Sequence, residues 1–336
     1  MARHVNFGLW YDFRNPEPWR VPFETLYEDC LEQIVEAERL GFDSVWMTEH
    51  HFCDDGYTPS PLVIGGAIGA RTNRMRIGTN LMVLPLHNPI RIAEDAATLS
   101  LLTRGRFDLG VGIGYRELEF RQFGRELKHR PSLVEEAIAI IRRAWTGEPI
   151  NFEGKRFQVG DLRVTPAPEH LPKLYLGAMA EPAIDRVARI ADGFLSTGGI
   201  GHDVYLDCLK KHGKNPADGV IIAGSWAIIS DDPERAAALV GPHALYQCNQ
   251  YIEWGAFGPP DTTPRFPDAA TALSQGLYRL WDADTAVKEF IKLLHDYPQI
   301  RDLHIWARLP GESVAAGQRR LEYVAKHVLP KVRAAL

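Results

Sequence analysis

The sequence predicts a single (β/α)8 barrel, and three observations predict it. Eight β-rich runs alternate with segments of helical apolar spacing, the order that builds a parallel sheet with its helices outside. No Pro/Gly/Ser-rich or charged linker divides the 336 residues, so 1–336 reads as one domain. Polar residues cluster where the second run ends, in Ser44–Phe52 (S-V-W-M-T-E-H-H-F), and strand ends are where such a barrel keeps its chemistry.

Val5–Asp12 reads as the first strand, and Phe23–Leu40 as a helix that stops at Gly41, a C-cap glycine. Ser44–Thr48 is the second strand. The helix after it, Leu62–Ala70, carries Gly65-Gly66-Ala67-Ile68-Gly69-Ala70, a run that permits close approach to a second subunit or to a strand of the same chain. Met75–Leu84 is the third strand, Pro89–Leu102 its helix and Arg106–Gly114 the fourth strand. Gly110, Gly112 and Gly114 alternate along it and leave one face bare, so a ligand or another backbone must come close there. Because they are read within a strand rather than in a turn opening a helix, G-V-G-I-G is not a dinucleotide fingerprint.

Ser132–Trp145 is a periodic helix, and Phe152–Val159, with Gly154-Lys155 at its centre, an inserted hairpin. The alternation then resumes through Lys173–Met179, Pro182–Ala191, Gly193–Thr197, Asp203–His212, Val220–Ile229 and Pro233–Gln250. Tyr251–Gly276 interrupts it at a length where loops are functional. This stretch, 251–276, is expected to be a lid insertion over the barrel mouth, with Trp254, Phe257 and Phe266 as its apolar surface. Ala283–Leu294, Asp302–Leu309 and Val314–Val332 complete the barrel.

An apolar fraction of 45% and a charged fraction of 24% exclude a disordered or fibrous chain. The net charge is −5, and Arg71/Arg74/Arg76 and Lys210/Lys211/Lys214 are too short to track a phosphate backbone, which excludes a nucleic-acid partner. No run approaches the roughly 20 apolar residues of a membrane span. The first strand begins within four residues of Met1, leaving no room for a secretory leader. Cys30, Cys53, Cys208 and Cys248 form no C-x-x-C pair, against a disulfide framework or zinc knuckle, and a cytoplasmic protein is expected.

Adjacent strand-end side chains face opposite ways, so one of His50 and His51 looks into the mouth while the other braces it. A hydrogen-bonded structural pair is the alternative. A different enzyme class, a metal-dependent hydrolase, would draw ligands from Glu49, His50, His51, His87 and His304, but no H-x-H or H-E-x-x-H pair is present and no metal is expected.

These motifs resemble the bacterial luciferase-like flavin-dependent oxidoreductases. The resemblance is dense over Gly41–Trp145, in G-F-D-S-V-W-M-T-E-H-H-F, R-I-G-T-N-L-M-V-L-P-L-H-N-P-I-R-I-A-E-D and G-R-F-D-L-G-V-G-I-G-Y with E-F-R-Q-F-G, and it returns in Ala191-Asp192-Gly193 and the closing L-P-G. It implies a monooxygenase that takes reduced FMN from a separate flavin reductase and uses it with O2 on a small apolar substrate such as an aldehyde, ketone or terpenoid. A deazaflavin-dependent oxidoreductase is the alternative within the family, and a non-catalytic flavin-binding barrel a third reading. Glu49-His50-His51, where the deazaflavin branch commonly has aspartate-histidine, favours FMN.

The resemblance assigns His50 as the catalytic histidine, His51 as its brace and Glu49 as a hydrogen-bond acceptor behind them. It places a non-proline cis peptide at Asn80–Leu81, the cofactor's ribityl chain on the bare face of Gly112 and Gly114, and its phosphate at Tyr115 or at the helix start Ala180–Glu181. Ile113 and M-A-E-P-A-I stand where relatives carry arginine or a hydroxyl, which predicts a weak hold on flavin. His87 and Asn88 are expected to structure their loop. Trp10, Phe52, Tyr57 and Trp226 are candidates to line an apolar pocket. A homodimer is implied, with Leu62–Ala70 and Pro89–Leu102 at the contact.

Overall fold

Eight parallel strands close into a barrel in the computed structural model, which describes residues 4–167 and 169–336. The reading made from residues 1–3 lies outside the described residues. The strands are β1 (Asn6–Tyr11), β2 (Ser44–Met47), β3 (Arg76–Thr79), β4 (Phe107–Gly112), β5 (Leu174–Gly177), β6 (Gly193–Thr197), β7 (Ile221–Ser225) and β8 (Ile300–Trp306). Each pairs with the next, and β8 returns to β1 with Leu9 opposite Ile305, so these eight strands leave no edge open in the barrel. Among the described residues no helix is long and apolar enough to cross a bilayer.

Helices Phe23–Leu40 and Pro89–Leu102 have the expected bounds, for local reasons. Gly41 takes a left-handed φ of 96° that ends the first, and the Asn88 side chain accepts from the Ile90 and Arg91 amides to start the second. The last helix divides into Val314–His327 and Leu329–Ala334, because Pro330 has no N–H to continue the ladder.

Three further stretches differ from the expectation. The third strand does not run through to Leu84: it stops at Thr79, makes the cis peptide Asn80–Leu81, and resumes as Met82–Val83 against β4. The predicted strand Val220–Ile229 splits, since Ala227–Ile229 leaves the barrel to pair with Arg279–Trp281, a short strand the sequence reading missed. Tyr251–Gly276 is less irregular than expected: the preceding helix runs to Glu253, and Asp268 caps a further helix, Ala269–Gln275, which leaves 254–268 without regular structure.

The bare glycine face of β4 is filled by the chain itself. A Cβ on Gly110 would stand 1.8 Å from the Thr79 carbonyl oxygen, and one on Gly112 would stand 2.7 Å from Leu81. Leu81 also lies 2.5 Å from a Cβ position on Gly177, so its side chain occupies a niche between two glycines. Thr79 Oγ1 donates to the Gly110 carbonyl (2.7 Å) and accepts from its amide (2.9 Å), replacing ladder bonds lost at the break. Gly114 lies beyond the strand, in a left-handed turn with φ 70°. The small-residue helix likewise turns Gly65 and Gly69 toward Leu99 and Thr103 of its own chain.

The barrel interior is aromatic. Trp10 stacks on Trp306 (4.6 Å, 12°), and Trp46, Tyr175 and Trp226 pack in the same cluster. Asp302 accepts from Ser44 Oγ (2.5 Å) and Trp46 Nε1 (3.0 Å) and so satisfies those two groups, whereas Trp306 Nε1 is buried without a hydrogen-bond partner.

Two glycine substitutions test this account. Gly110→Ala should destabilise the protein by at least about 3 kcal/mol in chemical denaturation, since its methyl meets backbone that cannot swing away. Gly160→Ala, in the exposed hairpin strand with nothing within 4 Å, should be neutral or stabilise by up to about 1 kcal/mol.

Candidate active site

The C-terminal ends of β2 and β4 supply most of the polar groups at the mouth. After Met47 the chain turns, and the His50 amide donates to the Thr58 carbonyl, which fixes the loop on itself. His50 is 6% exposed. Its Nδ1–H donates to Glu119 Oε1 (2.8 Å), and its Nε2 receives the Tyr115 hydroxyl (3.0 Å). Burial pushes the Tyr115 phenol well above its ordinary range, so it stays a donor. Burial also pushes Glu119 up, but the His50 contact outweighs it and the carboxyl ends below the usual range.

Glu119 was not singled out from sequence, although it lies in the stretch E-F-R-Q-F-G. The short helix Glu117–Gln122 carries it inward, where Oε1 also accepts the His51 amide (2.9 Å) and Oε2 is buried without a partner. Arg116, one turn earlier, stands 3.5 Å from the same oxygen and donates to the carbonyls of His51 and Phe52.

A second buried carboxylate lies behind the first. Glu49 Oε1 accepts from His51 Nε2 (3.2 Å) and His87 Nε2 (2.8 Å), and Oε2 accepts the Val83 amide. Burial raises the Glu49 carboxyl, but His87 and His51 outweigh it and hold it at about 2; burial lowers His87, and Glu49 outweighs that and raises it. His51 and Glu49 thus brace the loop, and His87 ties it to the segment after Met82–Val83. The ligand atoms of Glu49, His51 and His87 all lie within 4.8 Å of one another, so among the described residues the grouping that could hold a metal uses His87 and not His50 or His304. His304 lies deeper, taking the Asn80 side-chain amide on Nε2 (3.0 Å) and donating to Asp302 (3.2 Å), while the Asn80 carbonyl accepts Trp10 Nε1 (2.8 Å).

The remaining sequence-predicted positions divide. Asn80, Leu81 and Gly112 meet at the bulge beside this group, and Gly114 follows against Val83 and Phe120. Tyr115 places its hydroxyl on His50. Ala180 and Glu181 are exposed at the first turn of helix Glu181–Ile190 and join no hydrogen bond with the His50 group. Phe52 is more exposed than buried, at 53%, with a left-handed φ of 56°, whereas Trp10, Tyr57 and Trp226 are buried among the barrel's aromatic residues.

A place for an anionic cofactor group that sequence reading passed over follows β6. Gly198 and Gly199 take left-handed φ values of 61° and 77°, with nothing within 4 Å of where a Cβ would stand. They lead to Gly201, which starts helix His202–Lys211 without a side-chain cap. The signal was present in T-G-G-I-G-H, a glycine cluster between a strand and a helix. Bare backbone at a helix start on the barrel mouth fits the phosphate of a flavin-type cofactor.

Trp254 packs against the His50 group. Its ring centroid lies 5.0 Å from His50 and 6.0 Å from Tyr57, and Tyr57 and Tyr251 share a hydroxyl contact of 2.9 Å. Phe257 reaches only Tyr251, at 6.4 Å, and Phe266 is pinned through its backbone to Asn249.

His87→Ala tests the Glu49 bridge. A carboxyl held near 2, against about 4.3 when unfolded, contributes stability above the unfolded value and loses it as pH falls through the folded value. Removing His87 raises the folded value, so the acid-unfolding midpoint should move to higher pH. At neutral pH the loss should be about 1–3 kcal/mol.

Comparison with known proteins agrees with this geometry. The family model of the luciferase-like monooxygenases matches residues 6–287. An F420-dependent glucose-6-phosphate dehydrogenase of Nakamurella multipartita is 36% identical over 340 residues, covering 95% of this chain and 98% of that one. One from Amycolatopsis mediterranei is 35% identical over 197 residues, a match that spans only 59% of that protein and 56% of this chain. Among solved structures, the oxygenating constituent of 3,6-diketocamphane monooxygenase from Pseudomonas putida, in complex with FMN, superposes with a TM-score of 0.77 at 20% identity over 99% of both chains. The barrel with its cis peptide at Asn80–Leu81, the E-H-H-F strand end and a family match spanning most of the chain place this protein in the luciferase-like monooxygenase family.

Proposed function

We propose that the protein is an oxidoreductase that moves a hydride between a deazaflavin of the F420 type and an alcohol or carbonyl group of a small organic substrate. The observation that carries the proposal is the orientation of His50: with Nδ1–H held by buried Glu119, its Nε2 is the basic nitrogen and faces the Tyr115 hydroxyl in the mouth. Oxidising an alcohol requires a base for the hydroxyl proton as the hydride leaves carbon, and an imidazole oriented by a carboxylate meets that need. The full-length likeness to an F420-dependent dehydrogenase supports this chemistry over the oxygen chemistry expected from Glu49-His50-His51.

When bound, the cofactor supplies the hydride acceptor or donor. The protein's own work is to place the substrate oxygen near His50 Nε2 and Tyr115, to let Glu119 stabilise the imidazolium that forms, and to exclude water with Trp254, Tyr57 and Tyr251. In the reverse direction His50 returns the proton to the carbonyl oxygen.

A second reading, a monooxygenase using reduced FMN and O2 with a separate reductase, is favoured by the E-H-H-F strand end. One set of assays separates the two. Loss of the oxidised deazaflavin's visible absorbance with an alcohol screen, without oxygen uptake, supports hydride transfer. Substrate-dependent oxygen uptake with reduced FMN and none of the former overturns it.

Within the reaction that is found, His50→Ala should lower kcat by about 10²–10⁴. Glu119→Gln should lower it by about 10² and shift the pH–rate profile, because the amide no longer fixes the imidazole's tautomer. Both variants should also lose stability, since they leave a buried polar partner unmatched.

The homodimer is proposed on the exposed Val63 of helix Pro61–Arg71 and the exposed Leu101 and Leu102 of helix Pro89–Leu102. Sedimentation at micromolar concentration should give twice the chain mass, and Val63→Glu should shift it toward monomer. A monomeric wild type would overturn the dimer.

A further inference from the structure

Arg14 is a fully buried charge with two idle nitrogens. It follows β1 directly, through Phe13 at a φ of 54°, and is 0% exposed. Its Nε donates to Asp55 Oδ2 (2.5 Å), an oxygen that also takes the Tyr246 hydroxyl (2.9 Å). Nη1 and Nη2 have no hydrogen-bond partner. Four rings surround the guanidinium instead: Tyr246 at 5.0 Å, Tyr57 at 5.1 Å, Trp254 at 5.2 Å and Tyr251 at 6.0 Å. Buried charges in folded proteins are almost always hydrogen-bonded, so a guanidinium whose outer edge meets only rings is unusual.

The same indole faces a second cation. Trp254 lies 5.2 Å from Arg14, 4.8 Å from Arg116 and 5.0 Å from the His50 ring. Two guanidinium groups and the proposed base therefore converge on the space that this one side chain fills. Trp254 ends helix Pro233–Glu253 and opens the irregular 254–268, so it sits where the chain is least constrained by regular structure.

We propose that this space is the binding site for a carboxylate on the substrate, which displaces the Trp254 indole and takes both Nη atoms of Arg14 while the reacting group lies at His50. The inference rests on the hydride-transfer reading only in assigning the carboxylate to the substrate, making that substrate a hydroxy or oxo acid with an apolar body. A carboxylate fits better than a phosphate. Arg14 offers one planar pair of donors, the geometry of a bidentate carboxylate contact. Asp12 and Asp55 already stand beside Arg14, and Arg116 is shared with Glu119, so each negative charge added here is costly and a monoanion costs less than a dianion.

The test uses the cofactor-free protein with three phenyl probes: benzoate, its isostere benzamide, and phenyl phosphate, titrated by calorimetry and by tryptophan fluorescence. Benzoate should bind at least about tenfold more tightly than benzamide, the worth of a charge-assisted contact, and more tightly than phenyl phosphate. Arg14→Lys keeps the charge but loses the fork; it should cut benzoate affinity about tenfold and leave benzamide unchanged. Trp254→Phe should still bind benzoate while losing most of the fluorescence change.

Equal wild-type affinity for benzoate and benzamide overturns the proposal without any variant having to fold. Tighter binding of phenyl phosphate overturns the carboxylate assignment. Because no cofactor is present, a protein that binds benzoate through Arg14 yet never reduces a deazaflavin would overturn the hydride-transfer reading and leave this site standing.

Discussion

One oxygen atom, Glu119 Oε1, sets the geometry of the mouth. It accepts from the His50 ring, accepts from the His51 backbone and lies beside Arg116, so ring orientation and loop path depend on a single buried acceptor. A buried carboxylate is costly unless its donors are all in place, and here its other oxygen has none. The arrangement holds because the donors come from a loop that is fixed independently, through the Thr58 carbonyl and the Glu49 bridge to His51 and His87. Two carboxylates with adjacent charge partners thus divide the work: Glu49 anchors the loop, and Glu119 aims the imidazole.

The break in the third strand connects this mouth to the barrel wall. Because β3 stops at Thr79, the Val83 amide is free to meet Glu49, and the Asn80 carbonyl and side chain meet Trp10 and His304 in the interior. The bulge requires room, and Gly110, Gly112 and Gly177 provide it on the two neighbouring strands. The glycines of β4 therefore serve the fold first. They admit backbone and Leu81, and the mouth geometry follows from where that backbone is pushed.

What was legible in the sequence follows from how local the cause is. Helix limits at Gly41 and Asn88, the E-H-H-F strand end and the hairpin around Gly154 each have a short-range signature, and they stand where the sequence placed them. The eight-strand alternation was legible for the same reason. The missed features are non-local. Arg279–Trp281 is a strand only because Ala227–Ile229 peels away to meet it, and Glu119 matters only because a six-residue helix folds it back over a strand end almost 70 residues earlier. Arg14 reads from sequence as one more charged loop residue after W-Y-D-F, and only the packing of Tyr57, Tyr246, Tyr251 and Trp254 around it shows a buried cation.

The cover over His50 bears on which chemistry the mouth supports. A proton taken from a substrate hydroxyl reaches Nε2 efficiently only if water does not compete for it, and the rings of Tyr57, Tyr251 and Trp254 pack within 4.8–6.5 Å of the imidazole. By excluding water the same rings lower the local dielectric constant, which strengthens the contact between the Glu119 carboxylate and an imidazolium. The cover is held by cation–π contacts to Arg14 and Arg116 and by one hydroxyl pair, interactions that a charged ligand competes for directly. A closure held by apolar packing alone would give way equally to any apolar body. In the proposed carboxylate site, a closure held by two cations would give way most readily to an anion, so the forces that keep the mouth shut would also select what opens it.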